Sequence, residues 1–194
     1  MTAIAGKLAW IVFAICWGVI RYRYARRAKR NRQIAERDRT YELVLLTLAF
    51  LGYLGVPALY LATSTLSFAD YAFHPMLFWA GLAIELAAIW LFWRSHADLG
   101  RNFSAKLVIR EEHALVTGGV YRLIRHPMYA SFLLWSFGQL LLLPNWVTGL
   151  AGLFGFCVLY FPRIGREEEL MVETFGQQYR QYMLRTKRLL PYIH

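Results

Sequence analysis

This chain contains several long stretches without a single charged residue. Residues 43–69 carry no charged side chain over 27 consecutive positions, and residues 71–93 carry only Glu85. An α-helix rises about 1.5 Å per residue, and the hydrocarbon core of a bilayer is about 30 Å thick. Each stretch is therefore long enough to cross a membrane as a helix.

Two further apolar segments complete this pattern. Residues 8–20 are uncharged, and their apolar character continues past Lys7 to the N-terminus. Residues 127–162 are also uncharged, and Pro144-Asn145, a typical turn sequence, divides them into two arms of 17 residues. Arms of this length are at the lower limit for a spanning helix. We predict an all-α, multi-pass integral membrane protein with five transmembrane helices, an ordered cytoplasmic loop and a C-terminal helix.

The composition excludes most other classes of protein. Hydrophobic residues make up 58% of the chain and charged residues only 18%, whereas soluble domains carry about 25% charged residues. A disordered chain, a fibrous repeat and a secreted disulfide scaffold are therefore excluded. The two cysteines, Cys16 and Cys157, each lie in an apolar run, so we expect neither a disulfide framework nor a zinc cluster.

The basic residues predict the orientation of the chain in the membrane. Of the 22 Lys and Arg residues, 21 lie in the segments 21–39, 94–125 and 163–188. Cytoplasmic loops are enriched in Lys and Arg, so these segments are predicted to be cytoplasmic, with the N-terminus outside and the C-terminus inside. The cluster at 21–39 is interpreted as a topogenic loop that also meets anionic lipid headgroups. We expect no nucleic-acid binding, since no zinc-ligand or helix-turn-helix pattern accompanies the cluster.

The polar segment 94–126, between the third and fourth predicted helices, is the first candidate for chemistry. Loops longer than about 15 residues are usually functional or disordered. Apolar residues recur along this one, so we expect it to be ordered. Its Thr117-Gly118-Gly119 sequence has neither a GxGxxG nor a Walker pattern and is predicted to be a turn.

The second candidate is Arg125-His126-Pro127-Met128-Tyr129, at the start of the fourth predicted helix. Proline is favoured at the first helical position, which places His126 at the N-cap and Tyr129 about one turn later. Exposed amides at a helix N-terminus suit a carboxylate or phosphate group. The alternative is an ordinary membrane helix that starts with a proline and carries an interfacial tyrosine. We interpret His74-Pro75, on the opposite face of the membrane and without the flanking arginine or tyrosine, as such an ordinary helix start.

Charged residues directly follow the fifth apolar run. If the helix continues there, Arg163 and Glu167 are four residues apart and share a face, with Glu168 rotated by about 100°. Both ends of the predicted hairpin lie on the cytoplasmic side, so His126 and Tyr129 could converge with this pair. The alternative is a surface salt bridge between Arg163 and Glu167.

Two features lie inside the predicted spans. Glu85 would lie in the middle of the membrane, where an ionisable residue is a functional candidate by default. A protonated or hydrogen-bonded structural carboxyl is the alternative. Gly149, Gly152 and Gly155 either allow close helix packing or leave a groove open for a lipid tail.

The cytoplasmic half contains a series of short motifs in a specific order. They are Leu99-Gly100-Arg101-Asn102-Phe103, Leu115-Val116-Thr117 with Gly119 and Tyr121, Arg125-His126-Pro127 with Tyr129, Glu167-Glu168 with Leu170, Phe175-Gly176 with Tyr179 and Tyr182, and Leu190-Pro191. In this order, with a hairpin between the His-Pro and Glu-Glu motifs, the chain resembles the isoprenylcysteine carboxyl methyltransferases and their phospholipid-methyltransferase relatives. The resemblance runs from about residue 99 to residue 193.

The resemblance implies an S-adenosylmethionine pocket on the cytoplasmic side, closed by the long loop and the C-terminal helix, and no metal site. Arg163 matches the substrate position, and Arg163 and Glu167 are the expected catalytic residues. The first 66 residues have no counterpart, so we divide the chain into an N-terminal two-helix membrane segment with a basic loop (1–66) and a methyltransferase core (67–194). The positions that match the cofactor site are Lys106, His113, Ala114, Leu115, Val116, Tyr121, His126, Pro127, Met128, Tyr129 and Glu167.

The implied reaction is methylation of the carboxylate of an isoprenylated cysteine, or of a similar lipidic acid, at the cytoplasmic membrane face, with S-adenosylhomocysteine as the second product. A carboxylate is ionised at pH 7, so positioning and desolvation carry the catalysis and no general base is required. The expected partners are the prenylated or lipidic substrate and membrane lipids. Three alternatives stay open: a phospholipid amine N-methyltransferase, an NADPH-dependent lipid or sterol reductase, and a non-enzymatic membrane interaction protein.

Overall fold

The computed structural model of the protein describes residues 3–28, 39–100 and 114–191, and the chain is mostly helical within these ranges. A π-helical turn, Leu51–Gly55, joins α2 to α3, and short 3-10 turns at Ser67–Ala69 and Gly119–Arg122 precede α4 and α5. The predicted all-α fold class is confirmed. In the described ranges the α-helices are α1 (Ala3–Ala28), α2 (Arg39–Phe50), α3 (Val56–Ala62), α4 (Pro75–Leu99), α5 (Pro127–Leu142), α6 (Trp146–Phe175) and α7 (Gln177–Arg185).

Helix length and apolar character confirm a multi-pass membrane protein. The described residues contain four helical segments that are long and apolar enough to cross a bilayer, namely Ala3–Arg26, Thr40–Ala62, Pro75–Leu99 and Trp146–Phe175. The helix α5 has 16 residues, about 24 Å of rise, which is less than the full hydrocarbon thickness of about 30 Å. Its length is set by the proline at its start and by the turn after Leu142.

Two helices extend beyond the apolar runs that predicted them. α4 continues from Trp93 to Leu99, supported by an ion pair of 3.2 Å between Arg94 and Asp98, and Gly100 ends it with a φ of 53°. α6 continues through Pro162 to Phe175. The predicted shared face of Arg163 and Glu167 therefore exists.

The glycines of α6 allow close helix packing. A Cβ atom added at Gly152 would lie 2.8 Å from Gln139 Nε2, and one added at Gly155 would lie 3.1 Å from the carbonyl oxygen of Ala49. One added at Gly149 would overlap the Leu140 side chain. Because α5 and α2 fill the space beside these glycines, the open-groove alternative is wrong.

A buried polar network ties the helices together in the middle of the molecule. Gln139 Oε1 accepts hydrogen bonds of 3.3 Å from the indole nitrogens of Trp10 and Trp135, and Gln139 Nε2 donates to the carbonyl oxygens of Gly52 and Thr148. Glu85 is also fully buried, with its side chain against Gly138. Neither of its oxygens has a hydrogen-bond partner in the part of the chain that the structure describes.

The two connections that lack basic residues lie together at one end of the bundle. Asn145 caps α6 by accepting from the amide of Thr148, and its own amide donates to the carbonyl of Leu66 and to Asp70 Oδ1. The predicted turn at 144–145 is confirmed. His74 precedes α4 without a side-chain capping bond, as expected for an ordinary helix start.

The C-terminal tail is anchored at the opposite end, beside the start of α5. The amide of Arg125 donates to the carbonyl of Lys187 at 2.7 Å, and the amide of His126 donates to the carbonyl of Arg188 at 3.0 Å. The predicted turn at 117–119 is also confirmed. Gly119 has a φ of 60°, and Asp98 accepts a 2.9 Å hydrogen bond from the amide of Val120.

Candidate active site

Glu168 of α6 holds the start of α5 and the C-terminal tail together. Its Oε1 accepts from Arg125 Nε at 3.0 Å and from Arg125 Nη2 at 2.9 Å, while its Oε2 accepts from Arg188 Nε at 3.0 Å and from Arg188 Nη2 at 2.6 Å. His126 Nε2 lies 3.3 Å from Oε1. The residue is 5% exposed. Hydrogen bonds between an arginine and a carboxylate are strong and geometrically specific. Because Glu168 makes two with each arginine, it fixes the position of this part of α6 and therefore of the neighbouring Glu167.

The adjacent residue, Glu167, faces the start of α5 from a less buried position. Tyr129 donates a 2.6 Å hydrogen bond to Glu167 Oε1, and Arg163 Nη2 lies 3.4 Å from the same oxygen. His126 Nδ1 lies 3.7 Å from Glu167 Oε2. The four residues that sequence analysis placed at the two ends of the hairpin are thus in contact.

Arg163 lies between two carboxylates contributed by different helices. Its Nη2 is 3.4 Å from Glu167 Oε1 and 3.4 Å from Glu42 Oε2 of α2. Arg163 is 6% exposed and Glu42 is 5% exposed. The interpretation of Arg163 and Glu167 as a surface salt bridge is therefore wrong, because tertiary packing covers the guanidinium. Among the described residues, Arg163 Nε has no hydrogen-bond partner.

Tyr121, in the short turn before α5, and Tyr182 of α7 are joined by a hydrogen bond beside the site. Tyr182 donates to the carbonyl of Tyr121, and the Tyr121 hydroxyl lies 3.5 Å from the carbonyl of Ser95. Burial raises the pKa of Tyr121 well above its usual value of 10, so this phenol stays neutral and acts as a hydrogen-bond donor. In this arrangement its hydroxyl is directed at the backbone of α4.

A cavity of about 530 Å³ lies between the segment before α5 and the helix α7. This volume falls within the range of about 300–1,000 Å³ that is typical of ligand pockets. The predicted cofactor residue Leu115 lines the cavity, and so does Tyr182. The remaining lining residues are Thr117, Arg122, Gln178, Gln181, Arg185 and Thr186.

The other predicted cofactor residues are placed as follows. Ala114 and Val116 lie in a segment without regular secondary structure before the turn at 117–119, and Pro127 and Met128 lie in the first turn of α5. Lys106 and His113 lie outside the described residues. His126 makes no side-chain capping bond to α5, and its ring faces Glu167 and Glu168 instead.

Sequence analysis missed the roles of Glu42, Glu168 and Arg188. The contact of Glu168 with Arg125 could have been predicted from the sequence, because Glu168 belongs to the Glu-Glu motif and Arg125 belongs to the His-Pro motif. The contact of Glu42 with Arg163 had no such signal, since it depends on how α2 is rotated against α6. Arg188 lies in the tail, whose path along residues 125–126 is a tertiary feature.

Comparison with known proteins points to one family. Residues 79–173 match the isoprenylcysteine carboxyl methyltransferase (ICMT) family. The chain is 37% identical over 97 residues to protein-S-isoprenylcysteine O-methyltransferase B of Arabidopsis thaliana, which is 49% of each chain. It is 34% identical over 98 residues to the Homo sapiens protein-S-isoprenylcysteine O-methyltransferase, which is 48% of this chain and 34% of that one. The chain thus spans about half the length of the Arabidopsis relative, and less of the human one.

A solved structure extends this likeness to the fold. The structure of the eukaryotic intramembrane Ras methyltransferase ICMT (isoprenylcysteine carboxyl methyltransferase) superimposes with a TM-score of 0.54 and 25% sequence identity, and covers 79% of this chain and 51% of that one. Residues 67–194 make up only about two thirds of the chain. The structural likeness therefore includes part of the first 66 residues, for which no counterpart was expected from the sequence.

Proposed function

Because residues 79–173 of this chain belong to the isoprenylcysteine carboxyl methyltransferase family, we propose that it is a membrane enzyme that methylates the carboxylate of an isoprenylated cysteine or of a similar lipidic acid. The observation that carries this proposal is the buried guanidinium of Arg163, which directly follows the apolar part of α6 and whose Nε is unpartnered among the described residues. A guanidinium is the protein group best suited to hold a carboxylate through two parallel hydrogen bonds, and in Arg163 the unpartnered Nε can donate one of them.

The residues around Glu167 fit S-adenosylmethionine, which when bound supplies an electrophilic methyl group. Glu167 is 21% exposed on its side chain, and its Oε2 lies 3.7 Å from Nδ1 of His126, so this oxygen can accept a hydrogen bond from the cofactor's ammonium group. Tyr129 orients Glu167 through the other oxygen. The backbone of residues 114–116 and the cavity beside α7 are assigned to the adenine.

The chain's own residues account for the catalysis by positioning. The acceptor carboxylate is already ionised at neutral pH, so no residue has to remove a proton. Arg163 binds and orients the acceptor carboxylate. Because Arg163 is buried, water is excluded that would otherwise compete for the guanidinium and for the carboxylate. Tyr129 and Glu168 hold the surrounding frame, because each links α6 to the start of α5.

The arrangement in the membrane belongs to the same proposal. The five helical segments α1, α2–α3, α4, α5 and α6 would place the N-terminus outside and the site in the cytoplasm. In support, the connections at 63–74 and 144–145, which carry no Lys or Arg, meet at one end. Arg125, Arg163 and Arg188 lie at the other end, where positive charge is favoured on the cytoplasmic side.

Two measurements on the detergent-purified protein separate this function from its alternatives. Calorimetric titration should show binding of S-adenosylmethionine and none of NADPH. With methyl-labelled S-adenosylmethionine and N-acetyl-S-farnesylcysteine, the label should appear in a base-labile ester. Base-stable label in phosphatidylethanolamine would instead identify an amine methyltransferase. Binding of NADPH would identify a reductase. Binding of neither S-adenosylmethionine nor NADPH would favour an interaction protein.

A further inference from the structure

The carboxylate of Glu42 is buried but lacks the hydrogen bonds that such a group requires. It lies in the first turn of α2 and is 5% exposed. Its Oε2 is 3.4 Å from Arg163 Nη2. Neither oxygen accepts a hydrogen bond from any residue in the described ranges. An ionised carboxylate offers about four acceptor positions, so Glu42 retains unused acceptor capacity beside Arg163.

A purely structural ion pair would be built differently. Charge-assisted hydrogen bonds between Arg and a carboxylate are typically about 2.7–2.9 Å long and often two-pronged, as between Arg188 and Glu168. Glu42 instead makes one contact of 3.4 Å, between its Oε2 and Arg163 Nη2, and the same nitrogen also lies 3.4 Å from Glu167 Oε1. A buried acceptor left unsatisfied is costly, so its unused oxygens point to a hydrogen-bond donor supplied by a ligand.

The position of Glu42 identifies the chemistry of that donor. We propose that Glu42 accepts a hydrogen bond from the N–H group on the carbon next to the acceptor's carboxylate, and so selects N-acylated amino acids over simple lipidic acids. This inference rests on the proposed function, in which Arg163 holds that carboxylate. In an amino acid the nitrogen is two bonds from the carboxylate carbon, and Glu42 lies 3.4 Å from the nitrogen of Arg163 that would face it.

The charge balance of the site is compatible with two carboxylates beside Arg163. Arg21 of α1 is close enough to Arg163 for the two positive charges to interact. Two carboxylates, Glu42 and Glu167, and two guanidinium groups, Arg163 and Arg21, therefore lie in this region before any ligand enters. The acceptor brings one negative charge and the cofactor one net positive charge, so the complete site would also be balanced.

The experiment compares two acceptors that differ only at the proposed donor. The first is N-acetyl-S-farnesylcysteine, and the second is its ester analogue, in which an oxygen atom replaces the N–H group. We expect the unaltered protein to prefer the amide in kcat/KM by about 10- to 100-fold, the range for one hydrogen bond to a charged group. Glu42→Leu should reduce this preference to within about twofold, with the affinity for S-adenosylmethionine unchanged. Glu42→Gln should retain part of it, because the amide oxygen still accepts.

A matched control is Glu173→Leu, the same substitution at an exposed position of α6, which should keep the full preference. An unchanged preference in Glu42→Leu, even with a lower rate, would overturn the inference and leave Glu42 as a structural counter-ion. Loss of S-adenosylmethionine binding would also overturn it, by assigning Glu42 to the cofactor. If Glu42→Leu does not fold, an undiminished preference in Glu42→Gln overturns it equally. Failure of the unaltered protein to methylate either acceptor contradicts the proposed function and, with it, this inference.

Discussion

Tyr129 donates a 2.6 Å hydrogen bond to Glu167, and this bond joins the first turn of α5 to the last third of α6. The two residues are 38 positions apart in the chain. The contact orients one carboxylate oxygen, and the other lies 3.7 Å from Nδ1 of His126. The hairpin therefore closes on itself at the end where its charged residues lie.

Glu167 is expected to bind the cofactor. Glu167→Gln should weaken S-adenosylmethionine binding by about 1.5 to 3 kcal/mol, the range for a hydrogen bond to a charged group. Glu169→Gln is the matched control, because Glu169 is exposed and about 200° around the helix. Calorimetric titration of both variants measures the difference. Equal losses would show that Glu167 contributes only a general negative charge.

Glu168 is expected to act on stability. Glu168→Gln removes the charge that Arg125 and Arg188 share, and it leaves the Arg125 side chain, which is only 8% exposed, without its anion. Breaking the buried pair with Arg125 costs about 3–5 kcal/mol, and the pair with the exposed Arg188 adds at most about 1 kcal/mol, so we expect a marked drop in the thermal midpoint of the detergent-solubilised protein. Glu169→Gln should leave the midpoint unchanged. A thermal midpoint of Glu168→Gln equal to that of the unaltered protein would mean that the tail is held by other contacts.

The sequence allowed much of the hairpin and its charged end to be predicted, because both depend on local patterns. The proline start of α5, the Pro-Asn turn and the four-residue spacing of Arg163 and Glu167 are all local. The partners of these residues are not local. Residues 43–62 carry no charged residue on any side, so no charged stripe indicates which face of α2 turns toward the protein. The approach of Glu42 to Arg163 follows only from packing of α2 on α6, and that of Arg188 to Glu168 only from the path of the tail.

Gly152 is expected to be required for packing. Gly152→Leu places a side chain where Gln139 and Ser136 lie, and overpacking of this kind costs about 1–3 kcal/mol. It should therefore lower thermal stability and affect long-tailed and short acceptors alike. Gly18→Leu is the control, since nothing lies within 4 Å of a Cβ atom added there. A selective loss of activity on long-tailed acceptors would instead indicate a tail-binding groove at Gly152.

The proposed orientation can be tested by labelling single cysteines in sealed, right-side-out vesicles. After replacement of the exposed Cys16 and Cys157, Ser67→Cys should react with an impermeant thiol reagent added outside. Gln178→Cys should react only after the vesicles are permeabilised, because α7 is expected in the cytoplasm. Labelling of Gln178→Cys from outside would reverse the orientation and place the site on the other face.

The most direct test of the central claim is the kinetics of Arg163→Lys with N-acetyl-S-farnesylcysteine, read as methyl ester formed from labelled S-adenosylmethionine. Lysine keeps the positive charge between Glu42 and Glu167 but loses the two-pronged grip on a carboxylate. We expect kcat/KM for the acceptor to fall by at least about tenfold, while S-adenosylmethionine binds with nearly unchanged affinity. Arg166→Lys, an exposed position on the same helix, should retain full activity. Unchanged kcat/KM in Arg163→Lys, or loss of cofactor binding in its place, would contradict the assignment of Arg163 to the acceptor carboxylate.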